Sequence, residues 1–292
     1  MPDTVTSPKP LRSAVIRFAG DSGDGMQLAG TQFTDTSALA GNDVATLPDY
    51  PAEIRAPQGT VAGVSGFQVN FAAEDIFTPG DAVNALIAMN PAALKAHVAD
   101  VAPGGIVVVN ESEFTKTNLK KAGYEENPLD DTELESKYEL YKVPISRLNE
   151  AALAATGMGA NDIGRCKNMW ALGLIYWLYD RSPDATIKQL NDYFGTKKKK
   201  PEVAAANVAA IKAGYYFGET AELFSGKFTV APADIKPGRY RKVVGNEAIA
   251  MGLTAAAELA GKTMVYCSYP ITPASTLLHG LANLKHHGVK TF

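Results

Sequence analysis

Thr272 stands between Pro270 and Pro273 in the stretch Tyr269-Pro270-Ile271-Thr272-Pro273-Ala274-Ser275, a setting suited to binding an anion. The apolar run 263–267 before it reads as a buried strand, and Leu277, Leu278, Leu281 and Leu284 after it share one helical face. The stretch is therefore a strand-to-helix turn, with Thr272 at the N-cap and Pro273 at the first helical position. Free N–H groups and a positive dipole end at a helix start suit a carboxylate or phosphate. The plainer reading is that the Thr272 hydroxyl only caps its own helix. Local physics leaves both open.

A second cluster, Gly20-Asp21-Ser22-Gly23-Asp24-Gly25, joins a strand at 14–19 to a helix at 26–40 that Gly41 stops. A glycine loop in that place invites a dinucleotide reading, but the G-x-x-G-x-G spacing is not the usual one. No acid cleanly ends the next strand at 44–47, because Asp49 comes after Pro48. Asp21 and Asp24 also put negative charge where a pyrophosphate would lie. The triplet Gly23-Asp24-Gly25 imitates a Mg-diphosphate motif, yet the asparagine such a motif needs has no counterpart: Asn42 is too near and Asn70 too far. Arg55, in Pro48-Asp49-Tyr50-Pro51-Ala52-Glu53-Ile54-Arg55, is the better anion partner, since a guanidinium pairs bidentately with phosphate or carboxylate. An ion pair with Glu53 or another acid is its alternative.

Other candidates are weaker. Lys197, Lys198, Lys199 and Lys200 before Pro201 read as a solvated loop, or as a positive patch that steers an acidic partner. His279, His286 and His287 have no cysteine or carboxylate at ligand spacing, so no metal is expected. No G-x-S-x-G elbow or Cys/His pairing suggests a nucleophile.

The elements that must position these residues alternate. Strands are expected at 14–19, 44–47, 61–71, 82–88, 106–109 and 139–143, with helices at 26–40 and 91–101. This predicts an α/β fold with a parallel sheet covered on both faces. Residues 114–137 are a polar excursion, and 146–224 are mostly helical. The helix at 168–179 is apolar all round, so Trp170, Tyr176, Trp177 and Tyr179 are expected in the core. Residues 1–12 read as a disordered lead and 226–242, with Pro232, Pro237 and Gly238, as a linker. Residues 243–292 are too few to bury both faces of a sheet, so a longer native domain or another chain is expected to complete them.

The chain has 292 residues and a formal net charge of −3, which gives no global field to attract nucleic acid or membrane. No apolar run approaches the roughly 18 residues of a membrane span. Cys166 and Cys267 stand alone, which fits a reduced cytoplasmic protein and excludes a four-thiolate cluster within this chain.

The YPITP stretch, with the preceding Gly245-Asn246-Glu247-Ala248 and the small-residue helix 249–260, resembles the signature of the 2-oxoacid:ferredoxin oxidoreductases. Residues 13–225 resemble that family's Rossmann-like gamma module with its helical C-terminal part. The matching pieces are residues 20–25, the Arg55 segment, Lys167-Asn168-Met169-Trp170-Ala171-Leu172-Gly173, and Asn207 with Ala213-Gly214-Tyr215. The acidic loop departs from the family's usual G-x-G-G-Q-G. A gamma-like module ahead of YPITP resembles the alpha subunit of two-subunit 2-oxoglutarate:ferredoxin oxidoreductases. The resemblance implies interconversion of 2-oxoglutarate plus coenzyme A with succinyl-coenzyme A plus CO2, with ferredoxin as electron carrier. Another 2-oxoacid, or a non-catalytic nucleotide-binding subunit, is the alternative.

By the same resemblance, residues 243–292 open the domain that binds the pyrimidine half of thiamine diphosphate. Thr272 contacts the substrate carboxylate, Tyr269 and Ile271 shape the pocket, and Pro270 and Ser275 support the turn on the cofactor side. Arg55, Gly23 and Gly25 belong to the coenzyme A side. A partner beta subunit is implied to carry the Mg2+-diphosphate site and a [4Fe-4S] cluster, in a heterodimer or a dimer of heterodimers.

Overall fold

Ala14, Val15, Ile16, Phe18 and Ala19 are all buried although they alternate between the two faces of one strand. Such a strand belongs inside a sheet covered on both sides. The structure is a computed structural model that describes residues 7–53, 56–271 and 273–292. Arg55 and Thr272 lie outside the described residues. Contacts divide the chain into a first unit that ends at Ile235 and a second, Lys236–Phe292.

The first unit runs β1 (Lys9–Leu11), β2 (Ser13–Asp21), α1 (Met26–Leu39), β3 (Asp43–Asp49), β4 (Val64–Ala72), β5 (Val83–Ala88), α2 (Pro91–His97), β6 (Val101–Asn110), α3 (Lys116–Lys121), α4 (Thr132–Lys137) and β7 (Glu139–Val143). It continues through α5 (Ile145–Leu153), α6 (Ala160–Gly164), α7 (Lys167–Leu178), α8 (Asp184–Leu190), a π-helix (Asn191–Lys197), α9 (Pro201–Thr220) and β8 (Phe228–Val230). Among the described residues, six strands form one sheet in the order β3-β4-β2-β5-β6-β7. Strands β2, β5, β6 and β7 are parallel. Strands β3 and β4 run antiparallel to their neighbours, which corrects the expectation of an all-parallel sheet. Strand β4 is buried along its whole length, its polar Ser65, Gln68 and Asn70 included, and nothing in its residue types marks its direction.

Packing covers both faces. Ile16 and Phe18 join Phe33 of α1, Phe71 of β4, and Trp170, Tyr176 and Tyr179 in one cluster, while Val15 and Ala19 join Leu86, Leu94 and Val107 in another. Phe33 is the hub of the first, with ring centroids 5.2 Å from Phe71 and 5.8 Å from Tyr176. Such pairs contribute about 0.5–1.5 kcal/mol each beyond their buried area. Helices α7 and α9 touch backbone to backbone: Gly173 lies against the Ile211 carbonyl and Gly214 against the Trp170 carbonyl. Neither position has room for a Cβ.

Residues 9–11 and 228–230, read as lead and linker, are strands that pair in parallel, Lys9 opposite Phe228 and Leu11 opposite Val230. Residues 61–63 form a 3-10 turn instead of strand, and the helix from Pro91 ends at His97 before a second 3-10 turn.

The second unit contains α10 (Gly245–Ala260), β9 (Val265–Tyr266), α11 (Ala274–Asn283) and β10 (Lys290–Thr291). The expected strand at 263–267 narrows to two residues, paired in parallel with β10. Ala250, Leu281 and Val289 form its small core.

Candidate functional site

Strand β2 has β4 on one side and β5 on the other, and the chain winds outward in opposite directions from that point. A crevice outside the carboxyl ends of the strands at such a switch point is the usual ligand position of this architecture. Here a cleft of about 180 Å³ lies at that place, lined by Asp21, Asp24, Gln58, Gly59, Asn90, Asn118 and Lys121, with Glu113 and Lys167.

The glycine loop forms one wall. Gly25 has φ +74°, and a side chain there would strike Asn168, whose amide donates to the Gly25 carbonyl at 3.3 Å. The Asp24 carboxylate folds back to accept from the Asp21 N–H at 3.0 Å. It also pairs with the Lys167 ammonium at 3.0 Å. Lys167 begins α7 and lies 3.9 Å from Glu113. Burial opposes charge on Lys167, but Asp24, then Glu113 and Asp21, hold its ammonium above the ordinary lysine value. Glu113 is fixed in turn by Ser146 Oγ at 2.8 Å and by the Asn118 amide at 3.3 Å.

Asp21 differs from its neighbours. Both its carboxylate oxygens accept from the Gly59 N–H, at 3.1 and 3.0 Å. Burial, helped by nearby Asp24, pushes its pKa up, against the lowering by Gly59, Asn90 and Lys167. The Gln27 amide donates to the carbonyls of Asp49 at 2.9 Å and Gly66 at 2.7 Å. Of the residues expected on this side, Gly23 and Gly25 are in the loop, with Gly23 facing Gln58.

Sequence reasoning placed Asp21 and Asp24 but not their partners. The available signal was charge: two acids in one loop call for a cation, and Lys167 is the first lysine before an apolar helix. Cys166, next to it, is buried, and burial pushes its thiol up to about 11, so it is an inert core group.

In the second unit the proline stretch turns from β9 into α11. Pro273 is the N-cap residue and carries no side-chain cap, so the helix starts at Ala274, one residue later than expected. The turn is tied by its own backbone. Ile271 N–H donates to the Tyr269 carbonyl at 2.8 Å, and the Ser275 N–H and hydroxyl donate to the Ile271 carbonyl at 2.9 and 3.2 Å. Asn246, in the first turn of α10, donates to the Pro273 carbonyl at 3.2 Å and to Thr276 Oγ1. Tyr269 is 75% exposed, and Ile271 is exposed as well. His287 pairs with Glu258 at 2.5 Å. Among the described residues no group of His, Cys, Asp and Glu could hold a metal ion, and no helix is long and apolar enough to cross a membrane.

A mostly parallel sheet, helix-covered on both faces and opening at its switch point, defines an α/β ligand-binding module. The chain belongs to the pyruvate ferredoxin/flavodoxin oxidoreductase family, which matches residues 15–217. It is 51% identical over 282 residues to the 2-oxoglutarate oxidoreductase subunit KorA of Mycobacterium tuberculosis, an alignment that covers 97% of this chain and 43% of the relative. Its structure is similar, at TM-score 0.72 and 27% identity, to 2-oxoglutarate:ferredoxin oxidoreductase from Magnetococcus marinus, solved with 2-oxoglutarate, coenzyme A and succinyl-CoA bound. That match covers 96% of this chain and 43% of the other. The gamma subunit of a keto/oxoacid ferredoxin oxidoreductase from Geobacter sulfurreducens shares the fold at TM-score 0.50 and 20% identity, over 72% of this chain and 98% of its own. The chain thus spans less than half the length of the first two relatives.

Proposed function

We propose that this chain serves in a 2-oxoglutarate:ferredoxin oxidoreductase, with a partner beta subunit and ferredoxin as electron carrier. The observation that carries the reading is the 51% identity to a 2-oxoglutarate oxidoreductase subunit across 97% of this chain. The reaction interconverts 2-oxoglutarate plus coenzyme A with succinyl-coenzyme A plus CO2.

The turn's side chains fit one half of a thiamine diphosphate site. Exposed Tyr269 and Ile271 offer aromatic and aliphatic surface to a substrate pocket beside a flat pyrimidine, and the described part of the turn brings no cation for a diphosphate. When bound, thiamine diphosphate supplies the carbanion chemistry of decarboxylation. Pro270 and Ser275 fix the wall that would hold it, and Thr272 is the proposed ligand of the substrate carboxylate. Mg2+, the diphosphate site and a [4Fe-4S] cluster are assigned to the partner. Coenzyme A is assigned to the crevice of the first unit, with Lys121 as the cation that lines it; Arg55, Gly23 and Gly25 are the candidates the sequence offers for the same side.

The test is viologen reduction by the full-length chain co-expressed with its partner, given 2-oxoglutarate and coenzyme A. Turnover with 2-oxoglutarate above pyruvate supports the reading. Preference for another oxoacid corrects the substrate, and no turnover with any oxoacid favours a non-catalytic nucleotide-binding subunit. A hydrogen bond to a charged group is worth about 1.5–3 kcal/mol, so Thr272→Val is expected to lower kcat/KM for the oxoacid roughly 10- to 100-fold. Unchanged kinetics in that variant remove Thr272 from the site.

A further inference from the structure

We propose that Asp21 is a positioning residue: it holds the 57–60 turn over the crevice and so sets the rim that meets the ligand. The inference rests on the reading of the crevice as the coenzyme A side, and it starts from the turn itself. Thr60 donates to the Pro57 carbonyl from both its N–H, at 3.3 Å, and its hydroxyl, at 2.7 Å. Gly59 has φ +83°, the positive angle that a type II turn demands at its third position. The Gly59 N–H takes no part in the turn's own hydrogen bonds, and the acceptor it finds is Asp21, through both oxygens.

Nothing else in the loop replaces that contact. Asp24 is engaged elsewhere, closing the glycine loop on the Asp21 N–H and pairing with Lys167. A Cβ on Gly20 would lie 2.8 Å from Asp24 Oδ2, so the loop leaves room for this carboxylate and no more. The loop's anion niche is therefore filled by the chain's own side chain. The groups left to face a ligand are across the cleft. Gln58 lies in the turn, and Lys121 runs beneath it, its Cδ 3.1 Å from where a Gly59 Cβ would sit. Among the described residues, Lys121 makes no ion pair and Gln58 no hydrogen bond through its side chain. Where the turn sits decides where both groups point.

The energetics agree with a positioning role. Among the described residues Asp21 makes no direct ion pair, and burial disfavours its charge, so a charged Asp21 subtracts from stability at neutral pH. A group kept at that cost acts on something other than stability.

The test uses Asp21→Ala and Asp21→Asn in the full-length chain with its partner. Asparagine keeps one acceptor for the Gly59 N–H, and alanine keeps none. Amide exchange of the segment that carries Gly59 is expected to speed up by roughly 10-fold or more in Asp21→Ala and by less in Asp21→Asn, because one local contact is lost. Melting temperature is expected to hold or rise in Asp21→Asn. KM for coenzyme A is expected to rise several-fold in Asp21→Ala, with kcat and KM for the oxoacid unchanged. Unchanged exchange in Asp21→Ala overturns the proposal, and so does faster exchange throughout the first unit with a lower melting temperature, the mark of a merely structural residue. Faster exchange confined to the segment, with KM for coenzyme A unmoved, keeps Asp21 as the clamp and overturns the coenzyme A reading of the crevice. If the alanine variant does not fold, the asparagine variant carries the same exchange comparison.

Discussion

The glycine loop after β2 and the proline turn after β9 both lead from a strand into a helix, and they are built in opposite ways. The first leaves a nine-residue strand in the middle of a sheet and enters a fourteen-residue helix. Its side chains are committed to the scaffold: Asp24 to Lys167 and Asp21 to Gly59. The second leaves a two-residue strand, is held by backbone contacts and Asn246, and turns Tyr269 and Ile271 outward. A turn whose side chains hold the scaffold fixes geometry for its surroundings. A turn held by its backbone leaves its side chains for recognition.

The contrast breaks most easily at the base of the first turn. Lys167 is placed by α7, and α7 is placed by its glycine contacts with α9. Gly214→Ala and Gly173→Ala drive a methyl group into a backbone carbonyl that cannot step aside. Overpacking of this kind costs about 1–3 kcal/mol and occasionally more, and here about 3 kcal/mol is expected. Thermal unfolding of the first unit should shift down by several degrees, while amide exchange in residues 265–281 stays as it was. A Gly214→Ala protein with unchanged melting would mean that the helices are free to separate and that the crevice is not built on them.

Removing the cation tests the wall itself. Lys167→Met leaves Asp24 and Glu113 facing each other with little water, since the Lys167 side chain is 19% exposed and that of Asp24 14%. Breaking a buried pair costs up to about 3–5 kcal/mol, and with this residual exposure about 2 kcal/mol is expected. Asp24→Asn in the same chain should return part of the loss, because the two sites are coupled. Strict additivity in denaturant titrations would refute the pairing.

A smaller effect is the pH dependence of the first unit. His97 is buried against Arg17, whose guanidinium lies 3.0 Å from Nδ1, with Asp49 and Asp100 at 3.7 and 3.9 Å. Burial and then Arg17 lower its pKa, and the two acids only partly offset this. The unfolded chain thus binds the proton more readily than the folded one. The stability this supplies is fully present above the ordinary histidine value of 6.5 and is lost as the pH falls through the lower folded value. The first unit should lose stability on acidification below about 6.5, and His97→Gln should flatten that dependence. A slope unchanged by His97→Gln would assign the effect to the carboxylates.

How far these features were legible follows from their range in sequence. Strand β2 was readable because Ala14, Ile16 and Phe18 on one face and Val15 and Ala19 on the other make an apolar run that only Arg17 interrupts. The direction of β4 was hidden, since the alternation of Phe67, Val69 and Phe71 with Gln68 and Asn70 marks a strand but reads the same either way. Strands β1 and β8 have three residues each, too few for any periodicity, and exist through their pairing. Asp21 and Asp24 were visible as charges, but Gly59 is 38 residues away from Asp21 and a turn glycine gives no sign of where its N–H points. The proline turn was legible because its restraints are local: two prolines and hydrogen bonds of short range around Ile271 and Ser275. The one-residue shift of the start of α11 is of the size by which helix ends ordinarily differ.

The gentlest test is at Asn246, the only side chain of α10 that the described residues show bonded to the proline turn. Its amide reaches the Pro273 carbonyl and Thr276 Oγ1, both exposed. Water replaces such bonds readily, so Asn246→Ala should cost only about 0.5–1 kcal/mol. The first turn of α11 would keep the Ser275 and Thr276 bonds to Ile271 and Pro273, at 2.9 Å from Ser275 N–H and 2.7 Å from Thr276 Oγ1. Amide exchange should therefore quicken at residues 274–276 and remain unchanged across α10. If the proline turn is held mainly by its own backbone, activity with the partner chain falls no more than a few-fold. A loss as large as that expected for Thr272→Val would show that Asn246, and not the backbone, sets the direction of Tyr269 and Ile271, and the two strand-to-helix turns would then share one design.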